Sequence, residues 1–293
     1  MLTARTQRWL DAGEMAEFRG RRLYVQRREG ELPMLLLLHG FPSSSYDWKG
    51  LLEEHPGNAA LMFDCLGFGL SDKPTDHVYT LAWQADAAEE LVRRAGSPPT
   101  FLVAHDMGTS VATELLARAV RDELTIDARG ALLFNGSIML DRASLTSAQK
   151  LLRSPVGPLF ARLANERSFR AQFSRLFSDG HPLSREEAED QWALLSYNRG
   201  AVLAHRTIHY ISERERFTER WHGAFRDWAG PLSLAWGLKD PVATTNVLDG
   251  LRDLRPGVPV RELPELGHYP QLEDPEAVAG ALVEAMGRQE ARS

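Results

Sequence analysis

Phe101-Leu-Val-Ala-His-Asp-Met-Gly-Thr-Ser110 is the stretch on which the reading of this chain turns. Its opening residues form an apolar run suited to a buried strand, and from 110 to 120 the apolar residues recur at helical spacing. Between the two stands a polar residue, Asp106, with Ala104 two before it and Gly108 two after it. A strand that turns into a helix this sharply needs such small flanks. They let the helix pack close to the sheet and lift the central side chain off the strand's end.

Working outward, the same alternation of short apolar runs and helical segments recurs. Runs at 34–38, 59–63, 131–134, 232–236 and 258–262 are short enough and apolar enough for strands buried on both faces. The segment 81–95 has helical period. This β-α-β order predicts an α/β fold, a mostly parallel, doubly wound sheet flanked by helices with right-handed crossovers. Residues 16–20 and 22–26 read as an antiparallel hairpin at its edge. The alternation breaks once. From Asn135 to Leu232 about 95 residues contain no strand pattern and read as helices over 147–152, 158–163, 168–177, 184–195 and 201–213. A crossover needs far less chain. The expectation is therefore a core domain over 1–136 and 230–293 with a helical insertion, 137–229, packed above the sheet.

Composition narrows the classes. Of 293 residues, 43% are hydrophobic and 25% charged, as in globular domains. The 34 basic and 40 acidic residues give a net charge of -6, which argues against a protein built to grip nucleic acid. A single cysteine, Cys65, excludes an internal disulfide and a cysteine zinc site. The first 14 residues lack the apolar core of a signal peptide, and the run 35–38 is far short of the ~20 residues that cross a bilayer. A cytoplasmic protein with neither membrane nor nucleic acid as partner is expected; a homodimer is left open.

Asp106 sets the chemistry. A carboxylate, with an ordinary pKa of ~3.9, is ionised at neutral pH and can attack an electrophilic saturated carbon to form an alkyl ester. A base is then required only to activate the water that hydrolyses this ester. The Met107 N–H, at the helix start, would face the ester oxygen as charge builds there. A plainer reading makes Asp106 an N-cap of that helix. His39-Gly40-Phe41-Pro42 follows a central strand and can supply a second donor, the Phe41 N–H, with the Phe41 ring on the pocket wall; an ordinary strand-ending turn is the alternative. Asp64-Cys-Leu-Gly-Phe-Gly-Leu-Ser-Asp-Lys-Pro74 carries two glycines but no Gly-Lys-Ser/Thr, so it reads as a structural loop. In the chain order nucleophile, acid, histidine, Asp240 (before Pro241) and His268 follow two late strands, with Asp141 as the runner-up acid. His268 would activate water, and Asp240 would fix its tautomer. His205 and His209 have a metal-ligand spacing, but no H-E-x-x-H glutamate accompanies them and they read as a helix-surface pair. His105 should point into the structure. No metal or organic cofactor is expected.

Taken together, His39-Gly-Phe-Pro42, Asp64-x-x-Gly-x-Gly-x-Ser-Asp-Lys-Pro74, Ala104-His-Asp-Met-Gly108, Gly237-x-x-Asp-Pro241 and Gly267-His268 resemble the α/β-hydrolase superfamily, closest to its epoxide hydrolase and haloalkane dehalogenase branch. Segments 210–217 and 268–275 further resemble the mesoderm-specific transcript subgroup. The resemblance implies the α/β-hydrolase fold and makes the insertion a cap domain. In epoxide hydrolases cap tyrosines protonate the opening oxygen; Tyr210 matches the late one, and Tyr197 is the other cap tyrosine. Dehalogenases hold halide with N–H donors, usually a Trp after the nucleophile, where this chain has Met107. Trp192, Trp221 and Trp228 lie in the cap, and Trp192 joins Phe41 and Met107 as a substrate-pocket candidate. The implied activity is hydrolysis of epoxides to diols through an Asp106 ester, on a small apolar substrate and water. The alternatives are release of halide from small haloalkanes and, in another class, a ligand-binding protein without turnover.

Overall fold

The computed structural model describes residues 1–55 and 57–290. In chain order its elements are α1 (Ala4–Asp11), β1 (Glu14–Phe18), β2 (Arg21–Arg28), β3 (Glu31–Leu38), α2 (Lys49–Glu54), β4 (Asn58–Phe63), α3 (Leu81–Arg94), β5 (Thr100–His105), α4 (Met107–Val120) and β6 (Ala128–Phe134). Helices α5 (Ser147–Arg153), α6 (Gly157–Leu163), α7 (Glu166–Phe173), α8 (Arg185–Ser196), α9 (Gly200–Thr207), α10 (Tyr210–Arg216) and α11 (Thr218–Asp227) follow. The chain then closes with β7 (Leu232–Gly237), α12 (Thr245–Leu254), β8 (Val260–Leu263), α13 (Pro270–Glu273) and α14 (Pro275–Glu290).

The eight strands form one sheet in the order β1-β2-β4-β3-β5-β6-β7-β8. The hairpin β1–β2 joins β4 antiparallel, and every later pairing is parallel. The central strands β5 and β7 are buried at every position, and β3, β5, β6 and β7 are predominantly apolar, because both faces are covered. Leu36, Leu38, Leu102, Leu133 and Leu234 point to one face, where α3, α4 and α12 pack. Leu35, Leu37, Val103, Leu132 and Phe134 point to the other, against α2 and α14. The period-2 alternation within the Leu35–Leu38 run thus feeds two cores.

Helix α1 was not expected from sequence. The stretch read as one helix over 201–213 is two, α9 and α10, separated at Ile208 and His209. The last helix between β6 and β7, α11, packs against α4: the Trp221 indole N–H donates to Glu114 Oε2 at 2.9 Å, and Arg220 pairs with the same carboxylate. Among the described residues no helix is long and apolar enough to cross a membrane.

Candidate active site

The connection from β5 to α4 is the sharp elbow its small residues require. Asp106 has φ +43°, a backbone conformation that L-residues rarely adopt. Its side chain caps nothing in α4, so the N-cap reading is excluded. Gly108 explains the close approach: a Cβ there would lie 2.2 Å from the Leu38 carbonyl oxygen. Gly40 is placed similarly, since its Cβ would press on the Asp106 and His105 side chains.

One carboxylate oxygen, Asp106 Oδ2, accepts the Phe41 N–H at 2.9 Å. The loop after β3 thus already grips one oxygen of the group on the elbow, and the grip leaves Oδ1 available. The loop is held from behind. The buried His39 ring accepts the Cys65 N–H at Nε2, 2.9 Å, and burial keeps its pKa below the ordinary imidazole value. The Tyr269 hydroxyl donates to the Phe41 carbonyl at 3.1 Å. The two-glycine loop is organised by its own acid: the Asp64 carboxylate accepts from the Ser45 and Leu70 N–H groups.

Asp240 and His268 meet. His268 Nδ1 lies 2.7 Å from Asp240 Oδ2 and must donate to it, which leaves Nε2 as the free ring nitrogen. The Asn135 amide adds a donor to Oδ2 at 2.8 Å, and the Val242 and Ala243 N–H groups donate to Oδ1 at 2.6 and 3.0 Å. Burial pushes Asp240 up, but the neighbouring imidazole and these donors outweigh it, and the carboxyl lies below its ordinary pKa. For His268 burial pulls the other way, and the charge and hydrogen bond of Asp240 carry the ring above its ordinary value. Asp106 acts on it in the same direction. Asp141, the runner-up acid, is exposed on a short 3-10 turn.

His105 is fully buried, as the elbow geometry implied. Its Nε2 lies 2.6 Å from the His268 carbonyl oxygen, and the Gln271 amide donates to its Nδ1 at 3.1 Å. The Gln271 donor fixes the tautomer, so Nε2–H donates to the His268 backbone. Burial, then the nearby His268, pushes the His105 pKa down to about 3, so this ring stays neutral.

Tyr210, at the start of α10, is buried, and its hydroxyl finds no hydrogen-bond partner among the described residues. Its ring lies 5.7 Å from that of Phe41. Burial first, and then the charge of Asp106, raise the phenol's pKa. Tyr197 lies elsewhere. It follows α8 in a turn where Asn198 and Arg199 have positive φ, and it packs with Tyr24, Tyr46, Leu70 and Leu194. The structure does not bring it to Tyr210, because that turn directs it into a separate cluster.

A residue that sequence reasoning passed over stands beside Asp106. Arg214, one turn after Tyr210, is buried, and its guanidinium donates to Ser110 Oγ at 2.9 Å and to the Asp106 carbonyl at 3.0 Å. One of its nitrogens is 3.7 Å from Asp106 Oδ1, and the group sits 4.8 Å from the Tyr210 ring centroid. Nothing in the local sequence marks Arg214 out from the charged residues around it. Asn135, which closes β6 with φ +44°, was also missed.

A cavity of about 700 Å³ opens between the carboxyl ends of the strands and helices α5 to α9. Phe41, Pro42, Trp192, Pro241, Val242 and His268 are on its wall. Asp106, Met107 and Tyr210 are buried and are not on that wall. The Met107 side chain instead joins the core beside α4. Of the other tryptophans between β6 and β7, Trp221 is committed to Glu114 and Trp228 is buried in the core. His205 bonds its own helix, with Nδ1 2.7 Å from the Val202 carbonyl.

The sequence model of a family described as "Alpha/beta hydrolase family" matches residues 35–281. The chain belongs to that family. "Putative hydrolase LipZ" of Mycobacterium tuberculosis is 50% identical over 97% of this chain and 98% of its own length. The mesoderm-specific transcript homolog protein of Bos taurus is 34% identical over 91% of this chain and 83% of its own. Among solved structures, haloalkane dehalogenase DbeA from Bradyrhizobium elkani superposes with a TM-score of 0.79 at 22% identity, covering 96% of this chain and 99% of that one, and shares the fold. The mostly parallel α/β sheet read from the alternating strands and helices is thus present, the α/β-hydrolase fold implied by the resemblance is the fold of the molecule, and the chain is a hydrolase of this family.

Proposed function

We propose that this α/β hydrolase opens epoxides to diols through an alkyl ester on Asp106. The observation that carries the reading is the elbow itself: a carboxylate at positive φ that caps no helix and has one oxygen held by the Phe41 N–H. Asp106 Oδ1 attacks an epoxide carbon. The carbon–oxygen bond breaks, and the departing oxygen takes the proton of Tyr210, whose hydroxyl has no other partner among the described residues. A raised phenol pKa suits this role, because the group keeps its proton until a base as strong as an alkoxide appears. In the second half, His268 Nε2 takes a proton from water and the hydroxide adds to the ester carbonyl. Oδ2, already facing the Phe41 N–H, carries the negative charge that develops. The acyl–oxygen bond then breaks, the leaving alkoxide takes the proton of the added hydroxyl, the diol leaves with Asp106 again a carboxylate, and the proton on His268 passes to the solvent that reprotonated Tyr210.

Arg214 gives the cycle a bias. Opening the epoxide moves the negative charge from Asp106, 3.7 Å from the buried guanidinium, to the Tyr210 oxygen, and reprotonation of that tyrosinate from solvent leaves the guanidinium without a counter-charge in the ester. Hydrolysis restores it. An uncompensated buried charge is costly, so the ester is destabilised relative to the free carboxylate, which favours release. Because Asp106 is not on the cavity wall, a wall side chain must move before substrate reaches it; Phe41, whose N–H holds Asp106 Oδ2, is on that wall.

The test is intact mass spectrometry of His268→Gln incubated with a panel of epoxides and haloalkanes. The expected outcome is a stable adduct of the epoxide's full mass, mapped to the Asp106 peptide. An adduct that has lost halide would assign the protein to haloalkane release instead. No adduct from either class, with ligand affinity unchanged by Asp106→Ala, would leave a binding protein and overturn the proposal.

A further inference from the structure

The region 147–177, which spans α5, α6 and α7, differs from the rest of the surface in two ways. It carries six basic residues, Lys150, Arg153, Arg162, Arg167, Arg170 and Arg175, against one acid, Glu166, in a chain whose net charge is -6. Arg153 approaches Glu215 at 3.9 Å, whereas among the described residues the other five make no ion pair. The same region exposes large apolar side chains. Leu151, Val156, Leu159 and Leu163 are 36%, 53%, 60% and 67% exposed, four of the ten such side chains among the described residues. Leu159 and Leu163 share a face of α6, four residues apart.

Three of these residues line an opening. Leu151 and Leu163 face solvent and also line the 700 Å³ cavity that ends at His268, and Arg175 lies on the same wall. Exposed apolar side chains interspersed with unpaired cations on three consecutive helices are costly in water and complementary to a surface that is apolar beneath and anionic above. Two copies of this chain meeting patch to patch would set +5 against +5, which opposes self-pairing through it.

We propose that α5–α7 dock on the surface of an anionic lipid bilayer, peripherally, with Val156, Leu159 and Leu163 entering the headgroup layer and the basic residues contacting lipid phosphates. The cavity mouth then opens onto the lipid, and apolar molecules enter without crossing water. This revises the expectation, drawn from the absence of a spanning segment, that no membrane is a partner. It does not depend on the reaction proposed for Asp106, and its test reads no turnover.

The test is co-sedimentation of the full chain with phosphatidylcholine vesicles containing phosphatidylglycerol, with pure phosphatidylcholine as control. The wild type should pellet with the anionic vesicles and be released only in part by salt, because screening removes the electrostatic share of the binding and leaves the apolar share. Each basic residue near such a surface contributes roughly fivefold in partitioning, so Arg162→Glu/Arg167→Glu/Arg170→Glu should lose at least ~100-fold. Val156→Ser/Leu159→Ser should lose binding that persists at high salt. None of these five residues is on the cavity wall, and unchanged circular dichroism establishes that each variant is folded. Wild-type protein left in the supernatant with both vesicles, or binding indifferent to both variants, would overturn the proposal. So would a dimer in sedimentation velocity that Val156→Ser/Leu159→Ser converts to a monomer, because the patch would then cover a second copy.

Discussion

Two aspartates end two strands of the same sheet, and they are treated in opposite ways. Asp240, after β7, is saturated: its oxygens accept from Val242, Ala243, Asn135 and His268. Asp106, after β5, accepts one backbone N–H on Oδ2 and has only a guanidinium 3.7 Å from Oδ1. Both are buried. A carboxylate with its lone pairs filled by fixed donors is a permanent charge that orients a neighbour. One gripped by a single oxygen keeps the other to form a bond. The lesson is that residue type and burial do not separate the two roles; the donors around each oxygen do.

The largest effect should come from removing the under-bonded carboxylate. With whichever substrate labels His268→Gln, Asp106→Ala should lose at least ~10⁴-fold in kcat/KM. A loss under tenfold would mean that Asp106 forms no bond and that the contrast with Asp240 has no chemical meaning. Asp240→Asn should come next, with kcat down by roughly 10³-fold, because the amide cannot stabilise the imidazolium. Its pH profile sharpens the point. The wild-type base is held above the ordinary imidazole pKa of ~6.5, so the acid limb of kcat should lie above that pH, and activity should rise as His268 loses its proton. In Asp240→Asn burial dominates, and the limb should move to lower pH. A limb that stays in place would remove Asp240 from control of the base. The smallest effect belongs to Arg214→Met. Relieved of the stranded cation, the ester should form normally but hydrolyse ~10-fold more slowly, the equivalent of about 1.4 kcal/mol. Rapid-quench mass spectrometry should find it accumulating with His268 intact. No accumulation would reduce Arg214 to a brace for Ser110 and the elbow.

The elbow was legible in the sequence because a tight strand-to-helix turn admits few residue types: Ala104 and Gly108 flank the polar position, and Gly108 touches backbone. The pairing of Asp240 with His268 was legible from chain order and from placement at strand ends. Tyr197 was misplaced because a tyrosine in a helical insertion carries no local mark of the direction in which it points. Arg214 was overlooked for a related reason. In Tyr210-Ile-Ser-Glu-Arg-Glu-Arg-Phe217 every charged residue resembles a solvated helix face, and only packing on the elbow selects one of them for burial.

The sequence by itself determined the parallel sheet, the interruption of its alternation after β6, and which residues stand at the strand ends, because these follow from periodicity and from local steric demands on the backbone. Tertiary structure alone decided which helical side chains reach those ends, that Asn135 and His105 support the Asp240–His268 pair, and that exposed Leu151 and Leu163 line the cavity together with Arg175. Such contacts join residues far apart in the chain; His105 and His268 are separated by 163 positions. No short-range rule of propensity or spacing carries information over that distance.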